Sequence, residues 1–214
     1  MNVKSNQPRT YVSCAMYYFA AVSVNINLYM SKEIKKWKVL NSRYLIKRPW
    51  LTARCDCVEL PGGIQMPEYY VLEYPDWVNV IAITRDGRFV FVEQYRHGIG
   101  EVSMELCAGV CEPDDEDYMS AAQRELSEET GYAGGNWEHF MTISANTSTM
   151  NNLTHCFLAR DVELVTGQHL DKTEDIAVHL LTLDEVKRLL LADSIRQSLM
   201  AAPLWKYVAM NGLL

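Results

Sequence analysis

From about residue 40 onward, apolar and polar positions alternate in short runs broken by glycine, proline and aspartate, the rhythm of strands joined by tight turns. Residues 51–59 alternate, Pro61, Gly62 and Gly63 make a turn, and residues 69–74 form a second run, so a hairpin or small sheet is expected there. Residues 79–84 and 89–94 predict another hairpin, with Asp86-Gly87 supplying the turn. Residues 140–144, 154–159 and 178–183 read as later strands. Thr182 and Glu185 have capping-box spacing and start a helix through about Leu191. A last helical region from Ser194 is expected to break near Pro203, which brings no N–H and crowds the preceding turn. Strands with helices at intervals predict an α/β fold, a mixed sheet between helices.

One stretch stands apart: Arg124-Glu125-Leu126-Ser127-Glu128-Glu129-Thr130-Gly131-Tyr132. Read as a helix closed by Gly131, it places Glu125, Glu128 and Glu129 on one face, at spacings of three and four. Like charges so placed repel, and a hard divalent cation is the simplest neutraliser: Mg²⁺, or Mn²⁺ in its place, takes oxygen ligands and bridges carboxylates to phosphates. Arg124 can steer one of the carboxylates. Taken alone, such a run is as readily a solvated acidic face. Its surroundings change the weighing, because a strand and a glycine loop precede it, followed by an acidic stretch expected to form a helix's first turn.

These residues resemble the Nudix hydrolase signature, G-x5-E-x7-R-E-U-x-E-E-x-G-U. Counting back from Arg124 puts the signature glutamate at Glu116 and the signature glycine at Val110, one residue after Gly109. One extra residue in the loop of Glu112, Pro113, Asp114 and Asp115 would account for the offset. Further on, Gln94-Tyr95-Arg96-His97 and Glu105-Leu106-Cys107-Ala108-Gly109 resemble the ADP-ribose pyrophosphatase branch, with Cys107 where that branch has proline. The resemblance covers roughly residues 48–191. It implies a Nudix α/β/α sandwich preceded by a small N-terminal antiparallel β-element, which in that branch often exchanges within a homodimer. It also implies that the Ala108 carbonyl, Glu125, Glu128 and Glu129 hold Mg²⁺ and that Glu116 braces Arg124. Arg96, Glu105 and Tyr95 would face the substrate, and Gly109 and Gly131 would support the loop and helix end. The general base is a carboxylate of the helix, Glu128 or Glu129, or else Glu174 in the acidic loop of residues 171–176.

A chain of 214 residues, 49% of them apolar, can bury one main domain plus an appendage. The expected division is an N-terminal extension over residues 1–30, a β-element over 31–75 and a hydrolase domain over 76–214. The net charge of −7 argues against a general nucleic-acid binder. Residues 31–54 are nevertheless basic, with Lys38, Arg43, Lys47 and Arg48 among eight cations against Glu33. The six cysteines fall into no metal-binding spacing and read as reduced residues of a cytoplasmic protein. The apolar run of residues 14–22 is too short for a membrane span, so residues 1–30 are expected to be a dispensable extension, with Met30 a candidate start, and no membrane partner.

The expected reaction is metal-dependent hydrolysis of the diphosphate linkage in a small nucleoside diphosphate derivative, ADP-ribose or a related nucleotide sugar. The S-P-G loop of many ADP-ribose hydrolases is replaced here by the polar residues 146–152, which leaves the substrate open. Two other classes compete: a nucleotide-sugar-sensing regulator without catalysis, which would have no need of three intact glutamates, and an RNA-end or cap hydrolase, which would want a basic channel with aromatic platforms.

Overall fold

The computed structural model describes residues 33–213, so the expected extension over residues 1–30 lies outside the described residues. A three-stranded antiparallel sheet comes first, made of β1 (Lys38–Arg48), β2 (Leu51–Glu59) and β3 (Gln65–Glu73) in that order. Its middle strand buries Cys55, Asp56 and Val58, and Arg54 pairs with both Asp56 and Glu73. β1 is exposed along its whole length, so neither of its faces is set apart by burial.

The main sheet is mixed. β4 (Trp77–Thr84) lies between the antiparallel strands β5 (Phe89–Arg96) and β7 (Cys107–Val110) on one side and the parallel strand β10 (Thr154–Leu164) on the other. β6 (Glu101–Glu105) and β11 (Ile176–Leu181) flank β5, while β8 (Tyr132–Ala133) and β9 (Asn136–Ile143) flank β10. β4 is buried beyond its first residue, as a strand covered on both faces must be. Its side chains alternate between two cores. Val78, Val80 and Ala82 pack under α1 (Tyr118–Thr130), whereas Ile81 and Ile83 pack under α2 (Leu183–Leu191) and α3 (Ser198–Met210). The layers are therefore helix, sheet, helix.

One expectation fails instructively. Pro203 does not break the last helix; α3 runs through it. Proline leaves the carbonyl four residues back without its N–H donor, and that carbonyl, on Leu199, instead accepts the side-chain amide of Asn79 at 2.7 Å. The polar residues 146–152 form a loop, as expected, and that loop is pinned to β3. Leu72 donates its N–H to the Thr149 carbonyl at 2.7 Å, and Asn151 returns an N–H to Leu72, tying β3 to the main body. No helix among the described residues is long and apolar enough to cross a membrane.

Candidate active site

The helix that carries the glutamates is fixed at both ends by local chemistry. Asp117 caps its start through the Ser120 N–H, and Ser120 answers with its hydroxyl to the Asp117 backbone. Gly131 closes it in the left-handed region, φ 76°, where a side chain would also meet the Thr166 backbone. The acidic residues expected in its first turn all precede it. Gln168 donates to the Glu129 carbonyl at 2.7 Å and the His169 N–H to the Glu128 carbonyl at 2.8 Å. The last turn is thus clamped by the loop that continues to Glu174.

Arg124 is the hub of the acidic face. Its Nη1 donates to Glu125 at 2.9 Å and to Glu128 at 3.0 Å, while Nη2 reaches the Val110 carbonyl at 2.9 Å. Nε and Nη2 grip both oxygens of Asp115 at 3.1 Å. The brace is therefore Asp115, held below the usual carboxylate range by Arg124, and Glu116, expected in that role, is exposed. The register explains the correction. Asp115 follows Gly109 by the six positions of the signature, so the extra residue lies between Asp115 and Arg124, where the chain turns into the Asp117 cap.

Glu129 is the buried member, 4% exposed, with one oxygen accepting the Ala108 N–H at 3.1 Å. Burial pushes its pKa up to about 7, opposed by hydrogen bonds from the Cys107 thiol and Ala108 and assisted by the charges of Glu125 and Glu174. Burial likewise raises Glu125, against the pull of Arg124. A Cβ at position 109 would overlap the Glu125 carboxylate, so a larger residue there would displace that carboxylate from its place. Glu174 sits on an exposed turn, its carboxylate accepting the Asp171 N–H at 2.9 Å, and its charge is felt by both Glu125 and Glu129.

Arg96 and Glu105 form a second pair. The guanidinium binds the carboxylate through Nε at 3.0 Å and Nη2 at 2.6 Å. Glu105 is 1% exposed and both its oxygens are engaged, so it positions Arg96 and does not itself face solvent as a substrate contact would. Arg96 lies close enough to Glu129 to feel its charge. Arg96, Tyr95 and the backbone of Ala108, Gly109 and Val110 line a cleft of about 990 Å³. The acids lie against one side of that backbone strip and the cleft opens along it. Its far walls bring residues that pattern alone did not single out, Trp50, Tyr74, Asn79 and Arg196, alongside Trp77. Trp50 and Tyr74 were hidden because each lies at a turn or strand end, and Arg196 because it lies some 90 residues along the chain from the glycine loop.

Among the described residues no three His, Cys, Asp or Glu side chains converge closely enough to hold a metal ion, since Arg124 draws Glu125 and Glu128 to itself and Ala108 holds Glu129. The donor set still suits a hard dication: three carboxylates at one surface, one of them buried at a cost that a cation would relieve. The thiols suit nothing of the kind. Burial raises Cys111 to about 11 and Cys156 to about 12, so both stay protonated at neutral pH.

Comparison with known proteins agrees with this fold. Residues 37–72 match the nucleoside diphosphate sugar hydrolase N-terminal domain, and residues 74–202 match the NUDIX domain. A methanol dehydrogenase activator of Bacillus methanolicus is 32% identical over 159 residues, 74% of this chain and 82% of the relative. An ADP-ribose pyrophosphatase of Bacillus subtilis (strain 168) is 29% identical over 133 residues, 62% of this chain and 71% of the relative. The solved structure of an ADP compounds hydrolase superposes with a TM-score of 0.70 at 19% identity, covering 86% of this chain and all of that one, which shows a shared fold. Family members generally use divalent metal ions. With a NUDIX match over more than half its length and the glutamate helix intact, the chain belongs to the Nudix family and is a Nudix pyrophosphohydrolase similar to ADP-ribose pyrophosphatases.

Proposed function

We propose that the protein hydrolyses the diphosphate linkage of a small nucleoside diphosphate derivative, ADP-ribose or a related nucleotide sugar, to a nucleoside monophosphate and a sugar phosphate, with Mg²⁺ as its metal. The observation that carries this is the shared backbone strip Ala108–Val110: buried Glu129 and half-buried Glu125 meet it on one side, and a cleft large enough for a dinucleotide-sized ligand, with Arg96 on its wall, opens along it. Glu125, Glu128, Glu129 and the Ala108 carbonyl would hold the cation, which when bound supplies charge neutralisation and an acidified water. Arg96, oriented by Glu105, binds the diphosphate as a fixed fork. Glu174 is the base that takes the water's proton, since its loop is clamped to the glutamate helix and its carboxylate faces the same charge cluster.

The matched N-terminal domain and the relatives named ADP-ribose pyrophosphatase, from Bacillus subtilis and Mycobacterium tuberculosis, support a nucleotide-sugar substrate. They do not favour a polymer, and the basic residues of β1 lie on the exposed three-stranded sheet, not along the cleft. β1 also exposes Val39, Leu40, Tyr44, Leu45 and Ile46, and a second copy of the chain is the partner proposed to cover them, giving a homodimer.

The test is product analysis after incubation with Mg²⁺ and a panel of ADP-ribose, other nucleotide sugars, dinucleotides and capped RNA. Release of AMP and ribose 5-phosphate from ADP-ribose is expected. Cleavage of capped RNA alone would overturn the substrate class, and tight binding of a panel member without cleavage of any would favour the regulator.

A further inference from the structure

One peptide at the end of the glycine strand is held from both sides. The Val110 carbonyl accepts Arg124 Nη2 at 2.9 Å, and the N–H of the same peptide, on Cys111, donates to the Asp76 carbonyl at 2.9 Å. A planar trans peptide points these two groups in opposite directions, so the strand end lies between Arg124 and Asp76. Asp76, just before β4, is itself anchored. The next N–H, on Trp77, donates to the Leu153 carbonyl at 2.9 Å, and the Asn152 amide donates to the Pro75 carbonyl at 2.9 Å.

The carboxylate of Asp76 reaches the glutamate helix as well. Its Oδ2 accepts the hydroxyl of Tyr118, the first residue of α1, at 3.0 Å and lies 3.2 Å from His155 Nε2, while Oδ1 accepts the Leu153 N–H at 2.8 Å. The Tyr118 and His155 rings stack with centres 3.6 Å apart, and the Thr142 hydroxyl meets His155 Nδ1 at 3.3 Å. Burial pushes the Asp76 carboxyl up, but the hydrogen bonds from Leu153, His155 and Tyr118 outweigh it and hold the group below its usual range. Residues 111–117 therefore start on Asp76 and return to it at Tyr118. That loop carries Asp115, the partner of Arg124, and runs into the stretch lengthened by one residue against the signature.

We infer that Asp76 is a positioning residue for the glutamate cluster: with Tyr118 it closes the loop of residues 111–117 onto β4 and so fixes Arg124, the cation that holds Glu125 and Glu128. Neither Asp76 nor Tyr118 lines the cleft, so their loss acts on turnover of the bound complex and not on substrate affinity. Small displacements of groups at a reacting centre cost large factors in rate. The kinetic consequence rests on the proposed hydrolysis; the hold on Arg124 does not.

The experiment uses Tyr118→Phe, which removes one hydroxyl from an exposed ring and keeps the stack on His155. With ADP-ribose and Mg²⁺, well below the melting temperature, kcat is expected to fall at least about threefold with KM within about twofold of wild type. In metal-free protein, hydrogen exchange at Arg124 Nε, followed by ¹⁵N NMR, is expected to quicken at least about tenfold. Asp76→Ala should change both in the same sense, and the double variant should lose no more than Asp76→Ala alone, because the two changes break one shared bond. If Asp76→Ala fails to fold, Tyr118→Phe decides. A Tyr118→Phe protein with kcat and Arg124 exchange both within about twofold of wild type, whatever its melting temperature, would overturn the inference. Should the wild type hydrolyse nothing, the proposed reaction fails, and exchange at Arg124 alone decides this one.

Discussion

The glutamate helix and the N-terminal sheet spend their charged residues in opposite ways. In the helix, Glu129 is almost completely buried and Glu125 partly so, and Arg124 donates to Glu125 and Glu128 while Ala108 donates to Glu129. In β1, Lys38, Arg43, Lys47 and Arg48 stand in solvent beside exposed apolar side chains. Burying like charges is unfavourable unless something is gained by it, and at a functional site that gain is reactivity. Exposing apolar groups on a strand is unfavourable unless something covers them. The first region suits chemistry, and the second is the face on which the proposed dimer rests.

The comparison breaks most visibly at Glu129. Glu129→Gln keeps the volume and removes the charge, so turnover of the diphosphate substrate is expected to fall at least about a thousandfold while the folded circular dichroism spectrum is retained. Arg124→Ala should damage both properties, leaving Asp115 and Glu125 without their cation; a loss of about 3 kcal/mol in urea unfolding, with turnover down tenfold or more, is expected. In β1 the pattern should invert. Tyr44→Asp with Ile46→Asp is expected to shift the protein from dimer to monomer in sedimentation while the thermal midpoint of the hydrolase domain moves little.

A smaller effect sharpens the electrostatic half. A glutamate titrates near 4.5 when free and Glu129 near 7 in the fold, so as pH rises the unfolded chain releases its proton first. The stability tied to this proton is fully present below pH 4.5 and lost by pH 7. In chelator, the melting temperature of wild type relative to Glu129→Gln should therefore fall across that window. Added Mg²⁺ should reverse the trend at the upper end. The smallest contrast is between neighbours: Asp115→Asn should cost about 1–2 kcal/mol in urea unfolding, and Glu116→Gln no more than about 0.5 kcal/mol.

That last pair shows how legible the site was. The glutamate helix could be read because its spacing and the Gly131 cap are local, and the capping box of α2 for the same reason. Asp115 could not, since counting from Arg124 assumes a fixed length between loop and helix, and the Asp117 cap inserts a residue there. Arg96 was visible as a cation at a strand end, but only packing reveals that Glu105 is consumed in holding it. The bounds of β1 were not read from the pattern, because neither of its faces is buried. Pro203 was weighed by its local cost alone, and the remedy lies 124 positions earlier, in Asn79.

The central claim is that water attacks the diphosphate linkage, and labelled water tests it most directly. Wild-type protein with Mg²⁺ and ADP-ribose in H₂¹⁸O should yield AMP and ribose 5-phosphate with one ¹⁸O per turnover, located in a phosphate of one product, and Glu129→Gln should yield almost none. An intact diphosphate among the products, or label on a sugar carbon, would place the broken bond elsewhere and contradict the account.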